Sequence, residues 1–254
     1  RRHTRYPLVT GVQTCALPIF TPLRDKTHGR IWRVVHEASG KAGRSSLANA
    51  APDQLVAALR DDNMFWRERA QRKLVDRGVG RPDGGRDVVP ALLKLVEDSS
   101  VDAIGLNAGA IHAIWTLEQL GALDGSTADS RAVARVQAAL AHPSAGVRLN
   151  AVKALPRDSG TLATLVGSGL ADDPAPLVRL AVLEALGEWA PSPEAAGLVT
   201  KMVTAARTLA DPVLADAATS AAAVQAASVL PALLADATPP SPPRLTLVER
   251  LAEH

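Results

Sequence analysis

The sequence predicts an all-α fold, a right-handed α-solenoid of about five stacked helix pairs. Apolar residues make up 47% of the 254 residues but aromatic residues only 3%, so the apolar mass is mostly Ala, Leu and Val. Side chains of this kind suit closely packed helices better than a β-sandwich, which favours aromatic and β-branched residues. A helical apolar spacing that recurs from Pro52 onward indicates the same fold class.

Five segments repeat one apolar pattern at offsets 0, 4, 7 and 8, positions that share a face of an α-helix. Their first residues are Trp66, Leu106, Val147, Val178 and Leu214. Each segment follows another amphipathic one, and these predicted first helices span residues 53–60, 87–97, 130–140, 161–170 and 194–207. Asp, Asn, Pro or Ser in the turn between the two segments suits a helix start. Because one pair cannot bury its apolar face alone, we expect the pairs to stack.

Residues 1–19 are interpreted as a translated sequencing adapter and are expected to be disordered. Residues 9–19 back-translate into a short-read adapter sequence, so they are excluded from the fold prediction. A secretory signal peptide is the alternative, but Thr10, Gly11 and Gln13 interrupt the apolar core that it needs. Without this tail the only cysteine, Cys15, is lost, and 25 Lys and Arg stand against 26 Asp and Glu. This balance gives no reason to expect a nucleic-acid partner.

The remaining segments flank the repeats. Residues 30–35 alternate polar and apolar side chains, which predicts a short β-strand within residues 20–35. Residues 36–51 are rich in Ser, Gly and Ala and are predicted to be a linker. The repeat domain is assigned to residues 52–234, a proline-rich break to 235–243, and the truncated start of a further helix to 244–254.

Three segments resemble a known family of planctomycete-type and verrucomicrobial-type proteins. Residues 26–34 (KTHGRIWRV) are similar to the last propeller strand of that family, and residues 111–123 (IHAIWTLEQLGAL) to its second HEAT repeat. Residues 142–156 fit its third repeat. The family joins a sugar-dehydrogenase-like β-propeller, a HEAT-repeat region and a C-terminal c-type haem domain.

The resemblance implies that this chain is a fragment of a larger periplasmic or cell-envelope protein, a membrane-bound dehydrogenase acting on sugars or alcohols. Haem c would belong to a Cys-x-x-Cys-His motif in the C-terminal domain, and this sequence contains no such motif. No cofactor is therefore expected in this chain. The expected partners are proteins, either the parent's propeller and haem domains or another chain.

Three arginines recur at one offset of the repeat: Arg67, Arg148 and Arg179. They could form a row that recognises acidic partners. The preferred interpretation is an internal ladder with acids of the turns, namely Asp61, Asp62, Asp172 and Asp173. Partly exposed pairs of this kind contribute at most ~1 kcal/mol each.

Trp66, Trp115 and Trp189 lie on or at the end of predicted second helices. They could anchor a protein interface, because tryptophan is enriched in interface hot spots. Packing against a neighbouring repeat is the preferred interpretation.

Catalytic and metal-binding patterns do not stand out in the sequence. The histidines after residue 19 are scattered and form no His-x-x-x-His pair. No Ser-His-Asp set or glycine-rich phosphate loop is evident. No run of 18 apolar residues occurs, so no membrane-spanning segment is expected. The predicted function is a non-catalytic HEAT-like scaffold or interaction module. A free-standing protein-binding adaptor is the alternative, and a HEAT-like enzyme or DNA-binding protein is disfavoured.

Overall fold

A computed structural model describes residues 46–124, 128–236 and 239–253, which fold into α-helices and turns with no β-strand within these ranges. The all-α repeat solenoid predicted from the sequence is confirmed. The first helices of the pairs are α1 (Pro52–Ala58), α3 (Val89–Glu97), α5 (Ser130–Ala138), α7 (Ser159–Gly167), α9 (Pro193–Thr204) and α12 (Ala226–Ala235). The second helices are α2 (Met64–Asp76), α4 (Ala108–Gln119), α6 (Ala145–Ala154), α8 (Pro176–Leu186), α11 (Pro212–Val224) and α13 (Pro242–Glu253). A single turn, α10 (Ala206–Leu209), connects α9 and α11.

Second helices stack on one another in chain order from α2 to α13. First helices contact each other from α1 to α5 and from α7 to α12. The two helices pack directly in the first, second, fifth and sixth pairs, and the third and fourth pairs are joined through the 3₁₀ turns Ala139–Ala141 and Leu170–Asp172. The shared core between the two rows consists mainly of Leu, Val and Ala. Fully buried alanines on the second helices, such as Ala70, Ala151 and Ala218, let neighbouring backbones approach closely. Stability in such an array is approximately a sum of nearest-neighbour terms.

The array holds six pairs in the described ranges, one more than the five expected. The sixth pair is α12 with α13, and it packs on α9 and α11. The repeat pattern missed α12 because Pro231 lies inside it, where proline removes a backbone donor. The second helix of this pair begins at Pro242, two residues before the expected position 244. Prolines are tolerated in the first turn, since amide groups there have no intrahelical partner.

In the second pair, the sequence pattern that starts at Leu106 is displaced by one helical turn from the pattern that starts at Trp66 in the first pair. Asn107 was aligned with Arg67, but Asn107 is the N-cap of α4 and its side chain accepts a hydrogen bond from the Ala110 amide. Arg67 instead lies four residues after its own N-cap, Asn63. The residue of α4 that corresponds to Arg67 is therefore Ile111. Because 4 residues are about one turn, both alignments place apolar residues on the buried face.

Side chains at the helix starts explain most of the boundaries. Oxygen atoms of Asn63, Asn107, Asp129, Asp158, Ser192 and Asp211 accept hydrogen bonds from first-turn amides. Such caps satisfy donors that have no partner within the helix. The strand expected at 30–35, the adapter interpretation of 1–19 and most of the predicted linker lie outside the described residues. Leu47 and Ala50, near the end of that linker, pack against the core.

Candidate functional site

The three predicted arginines close the turns between the two helices of their pairs. In each case Nη1 donates to the backbone carbonyls of the residues six and five positions earlier. Arg67 bonds Asp61 O at 2.6 Å and Asp62 O at 3.0 Å, Arg148 bonds His142 O at 2.8 Å and Pro143 O at 2.9 Å, and Arg179 bonds Asp173 O at 2.7 Å and Pro174 O at 3.4 Å. The recurring arginine thus satisfies turn carbonyls that would otherwise lack a donor.

Arg148 also links two pairs through a carboxylate. Its Nε lies 2.7 Å from Asp173 Oδ2 and its Nη2 lies 2.9 Å from Asp173 Oδ1, a bidentate geometry. The Asp173 side chain is only 3% exposed. Burial by itself raises the pKa of Asp173, but the hydrogen bonds from Arg148 and from the Ala175 amide outweigh it and lower the pKa below its ordinary value. Of the turn acids named from the sequence, Asp173 is the one whose carboxylate meets a predicted arginine.

The remaining turn acids have other partners. Asp61 and Asp62 meet Arg67 through their backbone carbonyls. The carboxylate of Asp172 pairs with Lys201 at 2.5 Å and with Arg207, both outside the predicted row.

The three predicted tryptophans occupy three different environments. Trp66 is half-buried, and its ring meets Phe65 edge-on at 4.9 Å. Trp115 is half-buried on α4 and donates from Nε1 to Asn150 Oδ1 of α6 at 2.8 Å. Trp189 is buried after α8, donates to Asp158 O at 3.2 Å and lies under the Arg157 guanidinium at 5.1 Å. Trp115 therefore connects neighbouring repeats, whereas Trp189 connects the end of α8 to the start of α7 within its own pair.

A polar network that the sequence did not predict joins α2 to α4. His112 Nδ1 lies 2.7 Å from Gln71 Oε1, and Gln71 Nε2 donates to Gln119 Oε1 at 3.3 Å. Because Gln71 Oε1 can only accept, the ring proton of neutral His112 is assigned to Nδ1. Burial, and secondarily the charge of Arg67, lower the pKa of His112 to about 4. His112 is therefore neutral at pH 7.

Above this network a groove of about 340 Å³ separates α2 and α4. Its lining includes His112, Trp115 and Gln119 together with the charged groups Glu68, Arg72 and Asp76. The groove belongs to the face formed by the outward sides of the second helices.

Exposed apolar side chains recur along that face. The second residue after the N-cap is Phe65 in α2, Leu177 in α8 and Val213 in α11, and these side chains are 49%, 62% and 61% exposed. Gly109 and Gly146 occupy the same position in α4 and α6. We call Phe65, Leu177 and Val213 the apolar row. Exposed hydrophobic residues that share one face mark interaction surfaces more often than scattered ones do.

Polar rungs hold neighbouring second helices together along this face. Lys153 of α6 pairs with Glu184 of α8 at 3.0 Å, and Asp216 of α11 approaches Arg250 of α13 at 3.5 Å. The Trp115–Asn150 hydrogen bond connects α4 to α6 in the same way.

No group of three or more His, Cys, Asp or Glu side chains within the described ranges could hold a metal ion. In the same ranges no single helix is long and apolar enough to cross a membrane. The helices Pro212–Val224 and Ala226–Ala235 have the length and apolar composition of a membrane span only when they are taken together, and a bend of 111° separates them.

Comparison with known proteins gives a structural likeness and no sequence family. No family model matches the chain, and no curated protein matches it. Among solved structures, a designed armadillo repeat protein in complex with the peptide (KR)4 is similar to this chain. The two are 19% identical, the match covers 79% of this chain and 98% of that one, and the TM-score is 0.43.

Proposed function

We propose that the helical repeats form a scaffold that binds another protein, or another domain, on the face of the second helices. The apolar row carries this proposal. Phe65, Leu177 and Val213 recur at one helical position on separate repeats and remain about half exposed or more. Isolated exposed apolar residues are common on soluble proteins, but a recurrence on one face suits a docking partner.

The construction of this face also supports a scaffold. The rungs between α4, α6 and α8 fix the spacing of the second helices, so a partner meets a preformed surface. A preformed surface reduces the ordering cost of binding. The partner's contacts would be distributed over several repeats rather than concentrated in one cleft.

The test uses peptides selected for binding to the full chain from a random peptide library. The selected peptides are then measured against the triple variant F65S/L177S/V213S. We expect their affinity to fall about tenfold or more, because apolar anchors dominate binding energy at such surfaces.

The control variant V79S/V166S removes two exposed apolar residues, one from the loop after α2 and one from the first helix α7. It should leave the affinities within about twofold, since neither residue lies on a second helix. Equal weakening by both variants, or peptides insensitive to the first, would contradict the proposed face.

We further propose, on the resemblance of residues 26–34 and 111–123, that this scaffold belongs to a cell-envelope propeller–HEAT–haem protein of the dehydrogenase type. Residues 111–120 make up most of α4 and its C-cap, so the resemblance includes His112 and Trp115. Haem c does not fit this chain itself, because Cys15 is its only cysteine and covalent attachment needs two. Any electron transfer would belong to other parts of the parent protein.

The coding sequence on either side of this chain would distinguish a fragment of the parent protein from a free-standing adaptor. A β-propeller encoded before Phe20 and a Cys-x-x-Cys-His motif after His254 would support the parent protein and its periplasmic location. Unrelated flanking sequence would favour the free-standing adaptor instead.

A further inference from the structure

A basic pocket of about 720 Å³ lies beside α2, next to the residues that precede α1. Its apolar lining consists of Ala48, Ala50 and Leu55. Its charged lining holds four cations and one acid: Arg69, Arg72, Lys73, Arg77 and Asp76. The pocket therefore differs from the chain as a whole, in which basic and acidic residues nearly balance.

The cations of this pocket make few contacts within the described part of the chain. The Arg69 guanidinium lies over the Phe65 ring at 5.3 Å and meets no described carboxylate. Arg72 pairs with Asp76 at 3.5 Å, and both side chains are largely exposed. Lys73 donates to Ala48 O at 3.0 Å.

Arg77 is satisfied only in part. Its Nη2 donates to Asp87 at 2.8 Å, but its Nη1 is buried without a hydrogen-bond partner in the described ranges. Each arginine carries five N–H donors and each lysine three, so most donors at this pocket meet no acceptor among the described residues.

Arginines elsewhere in the solenoid are used more fully. Arg148 makes bonds to the Asp173 carboxylate and to two turn carbonyls. Arg157 combines the Glu188 carboxylate with the carbonyls of Val152 and Leu155. The pocket beside α2 has the same donors without the matching acceptors.

We propose that this pocket binds an acidic segment, rich in Asp or Glu, of a partner protein. Positions 69, 72, 73 and 77 extend over about 12 Å at the helical rise of 1.5 Å per residue. That length matches roughly four residues of an extended peptide. Carboxylates on such a segment would reach the guanidinium groups in the bidentate manner that Arg148 shows with Asp173.

Residues 20–45 do not provide the acidic segment. Residues 20–45 of this sequence contain six Lys and Arg against two Asp and Glu, so they do not supply the complementary charge. Asp76 in the pocket and Asp87 beside it also disfavour a continuous phosphate backbone, because a polyanion that follows the surface would meet both acids.

This proposal rests on the proposed function, because it specifies the chemistry of the partner that the scaffold binds. The probe is a fluorescein-labelled octaglutamate peptide, measured by anisotropy against the full chain, with octaglutamine as the neutral comparison. We expect octaglutamate to bind and octaglutamine not to bind, with affinity falling as salt is raised.

The variant R69Q/R72Q should weaken octaglutamate binding about tenfold, since two of the four cations are removed. The control K94Q/R131Q removes two exposed cations from α3 and α5 and should leave binding within about twofold. Equal weakening by the two variants, absence of binding, or tighter binding of a single-stranded DNA octamer than of octaglutamate would overturn the proposal.

The library peptides test the scaffold function independently of octaglutamate. Library peptides that depend on Leu177 and Val213, together with no binding of octaglutamate, would leave the scaffold function intact and refute the acidic partner.

Discussion

Arg148 makes two kinds of contact, each with a different structural consequence. Its Nη1 closes the turn before α6, while its Nε and Nη2 hold the Asp173 carboxylate of the next pair. The side chains are 12% and 3% exposed, so water replaces neither contact easily. Removing one member of a buried pair leaves the other charged and without its partner.

We therefore expect R148M to lower the free energy of unfolding by about 3 kcal/mol, measured by urea denaturation. R131M is the matched control, because Arg131 is 74% exposed and its pair with Asp129 is local. Its cost should stay below about 0.5 kcal/mol. If R148M costs no more than R131M, the pair with Asp173 does not stabilise the stack.

His112 predicts a dependence of stability on pH. Its pKa of about 4 in the folded protein is below the ordinary value of 6.5. Above pH 6.5 both states are neutral, whereas at lower pH the unfolded chain takes up a proton before the folded one. Stability is therefore lost as the pH falls from 6.5 towards 4, and we expect about 2 kcal/mol of loss between pH 7 and pH 5.

The free energy of unfolding of the wild type and of H112Q is measured by denaturant unfolding at pH 7 and at pH 5, and the loss between the two pH values is compared. H112Q should remove most of this loss. Asp173 contributes below this range, because its pKa is lowered from 3.8, and Glu118, whose pKa is raised by burial, acts in the opposite direction near 4.5. An unchanged loss in H112Q would assign it to other groups.

Sequence reasoning identified the residues of the arginine row and one carboxylate acceptor, Asp173, but not the backbone carbonyls of the turns. The spacing of Arg67, Arg148 and Arg179 is visible in the sequence. Every residue has a backbone carbonyl, so the sequence does not show which carbonyls accept from these arginines. The His112–Gln71 contact was missed because it joins positions 41 residues apart. Such a pairing depends on the register between two helices, which local periodicity does not fix.

At the scale of elements, the start of α4 depends on Asn107 more than the start of α2 depends on Asn63. Asn107 Oδ1 accepts from the Ala110 amide, and its Nδ2 donates to Asp98 O at 2.7 Å and Ser100 O at 2.9 Å. Asn107 therefore connects the cap to the loop that follows α3. The N-cap Asn63 of α2 makes only the cap bond with its side chain, to the Phe65 amide.

N107A should lower the free energy of unfolding by about 2 kcal/mol, because it removes the cap and leaves two loop carbonyls without this donor. N63A, which loses a cap alone, should cost about 1 kcal/mol. Urea denaturation of both variants is the measurement. Equal costs would show that the two loop contacts of Asn107 add nothing to the cap.

The helices were predictable where local signals agreed and were missed where those signals conflicted. The predicted first helix at 87–97 corresponds to a 3₁₀ turn at Arg86–Val88 followed by α3. The predicted helix at 194–207 is divided into α9 and α10. Residues 226–235 were not separated as a helix because Pro231 contradicts the alanine- and leucine-rich pattern around it. Packing on α9 stabilises α12 despite that proline.

At the scale of the whole molecule, the fold class followed from periodicity, because a solenoid consists of repeated local units. The candidate face did not follow from it. The apolar row combines Phe65, Leu177 and Val213 with glycine in the middle repeats, so no common residue type marks the position. Only the helix starts, once known from the structure, align these residues.

The final prediction concerns how far a perturbation spreads along the stack. A chain that ends after Gln225 lacks α12 and α13, and with them the buried residues Val229, Leu233, Leu247 and Leu251. Hydrogen exchange should accelerate in α9 and α11, which contact the missing pair, and stay unchanged in α4 and α6.

The reciprocal variant L59A, at a fully buried position between α1 and α2, should accelerate exchange in α2 and α3 but not in α9 and α11. Each helix has neighbours only one repeat away, so a lost interface should weaken its own neighbours first. An equal loss of protection in all helices would instead require a single cooperative unit, in which the terminal pairs stabilise the middle of the array as strongly as its direct neighbours do.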